Sequence, residues 1–250
     1  MSILIYIDSE NGKVKKSAFE VATYARAIAD KQQTKVVAVT INVPQLEVLA
    51  AYGVNKVLSI TNDQLQHIST NALNHLLQQA VTKENSTIVV FSASSQAKEV
   101  APLLANSLQA GYVSNVISLP TEDFIVKSNV FSNKAISLSQ INTPIKVLGL
   151  APNAFKTEEK NVELTVEPFV PTLPDSDWGI QVITTEKTSG KVSLDDATIV
   201  VSGGRGLKAA ENWQIVEGLA EVLGAATACS KPVADMGWRP HSEHVGQTGK

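Results

Sequence analysis

The chain has 250 residues, of which 44% are hydrophobic and 18% are charged, and its formal net charge is −3. This composition is typical of a globular protein and provides no basic surface for nucleic acid. The single cysteine, Cys229, excludes an intrachain disulfide framework and favours a reducing compartment. No run reaches the roughly 18 apolar residues of a membrane span, so we expect a bacterial cytoplasmic protein without direct membrane insertion.

The first half of the chain alternates predicted strands and helices. Apolar runs predict strands at 3–7, 35–40, 55–60 and 87–91, and Pro44 opens a short helical piece. Apolar residues at three- and four-residue steps predict helices around 18–29, 65–80 and 100–108. Asn62 or Asp63 would cap the second helix, and Gly111 would end the third. Such alternation predicts a parallel sheet with right-handed crossovers.

The pattern changes after about residue 112. Short strands are predicted at 113–118, 124–127, 135–138, 145–150 and 162–166, and they either extend the same sheet or form a small antiparallel layer. A proline-containing crossing follows at 168–177, and the polar stretch 184–196 favours a domain boundary. We therefore predict an α/β parallel-sheet domain with added β-strands over residues 1–190, and an incomplete Rossmann-like domain over residues 191–250.

The second domain begins with a strand at 198–201 and a glycine-rich turn. A helix with apolar residues on two sides follows; Trp213, Val216, Ala220 and Leu223 form one stripe, and Ile215, Leu219 and Val222 form the other. A strand at 225–229 comes next. One strand–helix–strand unit cannot bury both stripes, so either a partner subunit covers the rest or the chain is cut short.

The turn Ser202-Gly203-Gly204-Arg205-Gly206 carries the most informative chemistry. Glycines between a strand and a helix let backbone N–H groups approach a diphosphate, and Arg205 adds a fork of donors. Residues 204–209 also fit the G-x-G-x-x-A spacing of a dinucleotide fingerprint. The next strand ends in Ser230 and Lys231 rather than in the acid that holds a ribose, which disfavours a nicotinamide site. The alternative is a tight turn that needs glycine for steric reasons only.

Further motifs lie on both sides of this turn, between residues 200 and 250. The segments Val200–Lys208, Glu211-Asn212, Ser230–Asp235 and Val245–Lys250 closely resemble, in order and spacing, the C-terminal domain of the electron-transfer flavoprotein α subunit. The first 190 residues resemble the N-terminal domain of the same family through their strand–helix order and through residues 131–135.

The resemblance implies an electron carrier, not an enzyme, with FAD bound mainly on the C-terminal domain. A β subunit would close over the FAD, and AMP is expected on that β subunit and not on this chain. By position, Arg205 and Ser230 would contact the FAD diphosphate, while Val245, Gly246, Gln247 and Thr248 would line the isoalloxazine. A Thr248 hydroxyl near flavin N5 and a nearby cation would stabilise negative charge on the ring.

Two departures from the family pattern affect these expectations. Lys231 replaces the arginine usual after the serine, which keeps the charge but loses planar stacking and the donor fork. The sequence also stops at Lys250, where the family continues. We therefore expect a C-terminally truncated α subunit whose FAD binding is impaired and whose second unit exposes apolar surface.

The expected function is to carry electrons, in fatty acid β-oxidation, from acyl-CoA dehydrogenases or similar donors to electron-transfer flavoprotein–quinone oxidoreductase. The alternatives are a nicotinamide-dependent dehydrogenase and a non-catalytic interaction domain. No metal site and no catalytic residue are assigned. The serines Ser92, Ser94 and Ser95 are interpreted as helix caps, and His67 and His75 are given no role because no partner is visible in the sequence.

Overall fold

A computed structural model describes residues 1–179, 182–183, 194, 197 and 199–246. The chain divides into two compact units, Met1–Ile183 and Thr184–Lys250, and each is described by itself. Within the described residues, no helix combines the length and the apolar character needed to cross a membrane.

The first unit is built on a sheet of nine strands. The described residues of this unit form eleven strands, of which nine belong to the large sheet and two to a small hairpin. The strands are β1 (Ser2–Tyr6), β2 (Ser9–Glu10), β3 (Lys13–Val14), β4 (Lys35–Ile41), β5 (Lys56–Ile60), β6 (Ser86–Phe91), β7 (Gly111–Val116), β8 (Ile125–Val130), β9 (Ala135–Gln140), β10 (Lys146–Leu150) and β11 (Thr165–Pro168). Its α-helices are α1 (Lys16–Gln32), α2 (Thr70–Glu84) and α3 (Ser95–Ser107). Short 3-10 helices span Glu47–Ala51, Asp63–Leu65 and Asp175–Trp178.

The strand order of the large sheet is β11-β5-β4-β1-β6-β10-β7-β8-β9, while β2 and β3 form a separate small hairpin. Strands β11 through β7 in this order run parallel, and β8 pairs antiparallel with β7 and with β9. Alternate side chains of each central strand enter two cores. Ile3 and Ile5 of β1 pack with α1, whereas Leu4 packs on the opposite face in the core that α2 and α3 complete.

The predicted strand–helix alternation of the first half is confirmed, and the later strands extend the same sheet. One boundary was wrong, because the helix predicted from residue 65 begins at Thr70. Asn62 caps only the short 3-10 turn, accepting from the Gln64 amide, and Ser69 caps α2 by accepting from the Ala72 amide at 3.2 Å. Two smaller differences concern element ends. The helical piece expected from Pro44 starts only at Glu47. Gly111, which was expected to end the third helix, is the first residue of β7.

One face of α2 contacts β11 and the segment that follows it. We call His75, Gln79 and Lys83, which are four residues apart, the α2 clasp. His75 Nδ1 lies 2.7 Å from Asp177 Oδ2, Gln79 exchanges two hydrogen bonds with the Thr172 backbone, and Lys83 Nζ lies 2.7 Å from Glu167 Oε1. The prediction that His75 has no partner was therefore wrong, since its partner is 102 residues away in the sequence.

A polar cluster lies at the carboxyl ends of β1 and β6. Asp8 is 5% exposed and accepts hydrogen bonds from Ser92 and, at 2.7 Å, from Ser94. The Ser94 hydroxyl also accepts from the Ala97 amide, so it caps α3 as predicted. Burial raises the pKa of the Asp8 carboxyl, although the two hydroxyls and the nearby Lys15 charge oppose this effect.

The second unit contains two parallel strands and two helices among its described residues. These are β12 (Val200–Gly203), α4 (Gln214–Leu223), β13 (Ala226–Cys229) and α5 (Lys231–Asp235), with 3-10 helices at Arg205–Leu207, Ala210–Trp213 and His241–Glu243. Its buried apolar residues are Trp213, Val216, Ala220, Ala226, Ala228, Cys229, Val233 and Ala234, and five of them pack as one cluster around Trp213. Trp213 is thus a packing residue, as predicted.

The outer side of α4 is apolar and open. Ile215, Leu219 and Val222 are 71%, 52% and 84% exposed. Leu223, which was predicted on the same stripe as Trp213, is 45% exposed because α4 ends there and Gly224 turns the chain with a left-handed φ of +59°.

Candidate functional site

The glycine-rich turn and Ser230 adjoin at one edge of the small sheet. Strands β12 and β13 run parallel, with Gly203 opposite Cys229, so the residues that follow them emerge side by side. The Ser230 amide donates to the Gly203 carbonyl at 3.1 Å, and a Cβ added to Gly204 would lie 3.7 Å from Ser230 Oγ. In open α/β sheets this carboxyl edge is where ligands commonly bind.

Two glycines of the turn differ in what they do. A Cβ on Gly203 would lie 2.8 Å from two ring atoms of the buried Trp213, so packing alone explains a glycine there. A Cβ on Gly206 would meet no atom within 4 Å. The steric interpretation of the turn therefore applies to Gly203 and leaves an accessible backbone at Gly206.

The α-helix predicted directly after the turn begins only at Gln214. Two 3-10 helices intervene, and Lys208 between them has a positive φ of +70°. The Asn212 side chain donates to the Leu207 carbonyl at 2.7 Å and stabilises this irregular path. The strand–turn–helix context that a dinucleotide fingerprint requires is therefore missing, which argues against the nicotinamide alternative.

The polar side chains at this edge are available to a ligand. Ser230 precedes α5 but its side chain makes no capping bond, and its hydroxyl has no hydrogen-bond partner among the described residues. Arg205 and Lys231 are exposed, and neither cation pairs with a carboxylate in the described parts of the chain. A hydroxyl, a planar guanidinium and an ammonium group at one strand edge suit the oxygens of a diphosphate.

The tail returns to the same edge. The Val245 amide donates to the Cys229 carbonyl at 3.0 Å, and His244 forms a parallel bridge with Cys229. Gly246 follows with a φ of +125°, a conformation that side chains rarely adopt. Val245 and Gly246 therefore lie beside the end of β13, whereas the predicted site residues Gln247 and Thr248 lie outside the described residues.

Arg239 fixes the loop that carries this tail, a role that the sequence pattern did not predict. Its guanidinium donates to Glu243 at 2.7 and 2.5 Å and to Glu217 of α4 at 2.9 Å, and it lies 5.4 Å from the Trp213 ring centroid. Hydrogen bonding to Glu243 raises the pKa of Arg239, so the charge is permanent. The Arg239–Glu243 spacing of four residues was the only sequence signal, and it did not reveal Glu217 or Trp213.

Cys229 and the nearby histidines do not form a metal centre. In the described part of the chain, no three or more His, Cys, Asp or Glu side chains are grouped to hold a metal ion. The Cys229 side chain is fully buried, and burial raises the pKa of its thiol, so it stays protonated near neutral pH.

Comparison with known families agrees with this geometry. The sequence model described as "Electron transfer flavoprotein domain" matches residues 3–174. The model described as "Electron transfer flavoprotein FAD-binding domain" matches residues 193–250. These two matches place the chain in the electron transfer flavoprotein class.

Individual relatives indicate which subunit of an electron transfer flavoprotein this chain resembles. The chain is 28% identical to the electron transfer flavoprotein subunit alpha of Bacillus subtilis (strain 168), over 99% of this chain and 78% of the relative. It is 29% identical to the subunit alpha of Megasphaera elsdenii, over 98% of this chain and 77% of the relative. It is also 26% identical to a Clostridium saccharobutylicum relative named Protein FixB, over 99% of this chain and 77% of the relative. The chain belongs to the α-subunit family of electron transfer flavoproteins.

Proposed function

We propose that this chain carries electrons on an FAD bound at the edge formed by the ends of β12 and β13. The observation that carries the proposal is the convergence of the Arg205 turn, Ser230 and the Val245 segment at one strand edge, inside the region that matches a FAD-binding family. The chain acts as an electron carrier within a redox chain and not as an enzyme with its own substrate.

The residues present fit the cofactor. The Arg205 guanidinium and the Ser230 hydroxyl would bind the diphosphate, and the exposed Gly206 backbone leaves room for close approach. Lys231 would contribute a point charge, and Val245, Gly246, Gln247 and Thr248 would line the isoalloxazine. The bound flavin supplies the redox chemistry, while the protein orients it and limits its contact with water.

The partners follow from family membership. An α subunit implies a β subunit, which would complete the site and hold AMP. Acyl-CoA dehydrogenases are the proposed donors, and electron-transfer flavoprotein–quinone oxidoreductase is the proposed acceptor. We place this exchange in the cytoplasm of a bacterium.

The test is flavin binding by the chain co-expressed with an electron-transfer flavoprotein β subunit. We expect a flavin absorption spectrum after purification, and we expect Arg205→Ala and Ser230→Ala each to raise the Kd for FAD about tenfold, the effect of about 1.4 kcal/mol of lost binding. Lys98→Ala, which removes an exposed cation from α3, is the control and should leave the Kd unchanged.

Two results would refute the proposal. The first is a stable complex of the two subunits without any flavin, which would instead favour a non-catalytic interaction protein. The second is a bound flavin whose affinity is unchanged in both Arg205→Ala and Ser230→Ala, which would place the cofactor elsewhere.

A further inference from the structure

Arg239 connects the two arms of the proposed flavin site. One arm is the glycine-rich turn that ends β12, and the other is the tail segment that begins at Val245 beside the end of β13. The guanidinium donates to both carboxylate oxygens of Glu243, and a third hydrogen bond goes to Glu217 of α4. The Arg239 side chain is only 15% exposed, so these bonds are largely shielded from water and are stronger for it.

The link to the turn passes through the indole of Trp213. This ring is buried, and a Cβ added to Gly203 would lie 2.8 Å from two of its atoms, so the ring packs directly against the turn. The Trp213 N–H is buried without a hydrogen-bond partner among the described residues. Packing and the Arg239 cation, 5.4 Å from the ring centroid, therefore hold the ring. The indole in turn gives Arg239 a fixed position relative to the turn.

The link to the tail passes through Glu243. This residue lies in the 3-10 helix His241–Glu243, two residues before Val245, whose amide donates to the Cys229 carbonyl at 3.0 Å. The Glu243 side chain is 13% exposed, and a two-pronged contact between a guanidinium and a carboxylate fixes orientation as well as distance. The direction in which the tail leaves the end of β13 is therefore set by Arg239.

We propose that Arg239 is a positioning residue for the flavin: it holds the ring-lining segment that begins at Val245 at a fixed distance from the phosphate-binding turn. It acts through Glu243 and Trp213 and not by touching the cofactor. This inference rests on the proposed function, because it assigns a role towards an FAD bound at that edge. A dinucleotide that spans both arms binds more tightly when the arms are already held in the bound geometry.

The first test measures hydrogen exchange in the full chain without flavin. Arg239→Lys keeps a cation beside the two carboxylates but loses the donor fork and the planar contact with the indole. We expect the Val245 amide to exchange about tenfold faster than in the wild type. The Ser230 amide, which donates to the Gly203 carbonyl at the same edge, should keep its rate. Glu221→Gln is the matched control, since Glu221 is an exposed acid of α4 that makes no hydrogen bond or ion pair within the described residues.

The second test follows the cofactor in the heterodimer with an electron-transfer flavoprotein β subunit. Arg239→Lys should raise the Kd for FAD about tenfold and change the visible circular dichroism of the flavin that still binds, because this signal reports the surroundings of the isoalloxazine. Glu243→Gln removes the carboxylate on the tail side and should produce the same two changes. The Kd of the double variant should exceed that of the weaker-binding single variant by less than about threefold, since both substitutions break one contact. Glu221→Gln should match the wild type in both measurements.

The outcomes distinguish this inference from the proposed function. If the wild type binds FAD, then wild-type exchange at Val245 or an unchanged flavin spectrum in Arg239→Lys overturns the positioning role alone. Equal acceleration of the Val245 and Ser230 amides also overturns it, because the substitution then loosens the whole second unit. Additive losses of affinity in the double variant would mean that Arg239 and Glu243 act separately, which contradicts the proposed link. A wild-type heterodimer that binds no flavin refutes the proposed function and leaves Arg239 with a structural role only.

Discussion

The protonation state of buried Asp8 affects the stability of the first unit. Asp8 lies between β1 and β6 with two hydroxyl donors and no direct ion pair among the described residues, and burial raises the pKa of its carboxyl. A buried carboxyl with a raised pKa binds its proton more tightly in the folded state than in the unfolded state. The free energy of unfolding therefore decreases as pH rises from about 4 through the folded-state pKa.

Asp8→Asn should stabilise the protein at neutral pH. The amide can still hydrogen-bond to Ser92 and Ser94 but carries no charge to desolvate. We expect the free energy of unfolding of the variant to exceed that of the wild type at pH 7.5, and the difference should shrink towards pH 4. Denaturant unfolding at a series of pH values measures it, with exposed Asp123→Asn as control. A variant that is less stable than the wild type at pH 7.5 would show that Asp8 is needed as a carboxylate.

Single residues were predictable from the sequence only where their partners are local. The Ser94 cap was predicted because it bonds to an amide three residues away. The Asp8–Ser94 and His75–Asp177 contacts were not, since they span 86 and 102 residues and exist only because the sheet order brings those segments together. Arg239 was missed for the same reason.

At the scale of elements, the α2 clasp holds the crossing from β11 to the end of the first unit. Three successive turns of one helix face contact it, by an ion pair, an amide exchange and a second ion pair. Glu167 also pairs with Lys56, and hydrogen bonds from Lys56 and Lys83 lower the pKa of Glu167 to about 2. The ion pairs of Glu167 with Lys83 and Lys56 therefore persist throughout the physiological pH range.

Removing His75 should loosen the segment at the other end of the clasp. In His75→Ala the Asp177 side chain, which is 2% exposed, loses its partner, and an unsatisfied buried acceptor costs about 1–3 kcal/mol. Hydrogen exchange of the Thr172 and Asp177 amides should then accelerate about tenfold or more. His67→Ala is the control, because His67 is exposed and makes no hydrogen bond or ion pair within the described residues. Equal exchange rates in the two variants would contradict the clasp.

Sequence periodicity predicted the elements of the first unit better than those of the second. Strands β1, β4 and β6 contain continuous apolar runs, and such runs have few alternatives to a buried strand. After β12 the chain forms two 3-10 helices before α4, and tertiary contacts such as Gly203 on Trp213 decide that path. The location of Ser230 beside the turn was implied only by the family resemblance, and the parallel pairing of β12 with β13 brings the two together. The contacts by which Arg239 fixes the tail could not be predicted from the sequence.

At the scale of the whole molecule, each unit has its own core. The first has two extensive clusters on the two faces of the sheet, while the described core of the second consists of eight buried apolar residues, four of which are alanines. A core that small leaves the second unit the less stable of the two when no cofactor or partner is bound.

Calorimetry of the chain alone should therefore show two unfolding transitions. The lower one belongs to the second unit, and Trp213→Ala should destabilise only that transition, by about 3–5 kcal/mol, because a buried indole is replaced by a cavity. FAD and the β subunit should raise the lower transition through binding to the folded form. A single transition, or equal shifts of both in Trp213→Ala, would mean that the units unfold as one.

The Asp8 cluster has a consequence for ligand selection. Strand order reverses direction between β1 and β6, and open α/β sheets usually admit nucleotides at such a crevice. Here the chain's own carboxyl group and hydroxyls fill that place, and Ser94 already satisfies an amide at the start of α3. An incoming phosphate would meet a buried acid there, so we expect the first unit to act as a scaffold and the proposed nucleotide site to lie at the Arg205 edge.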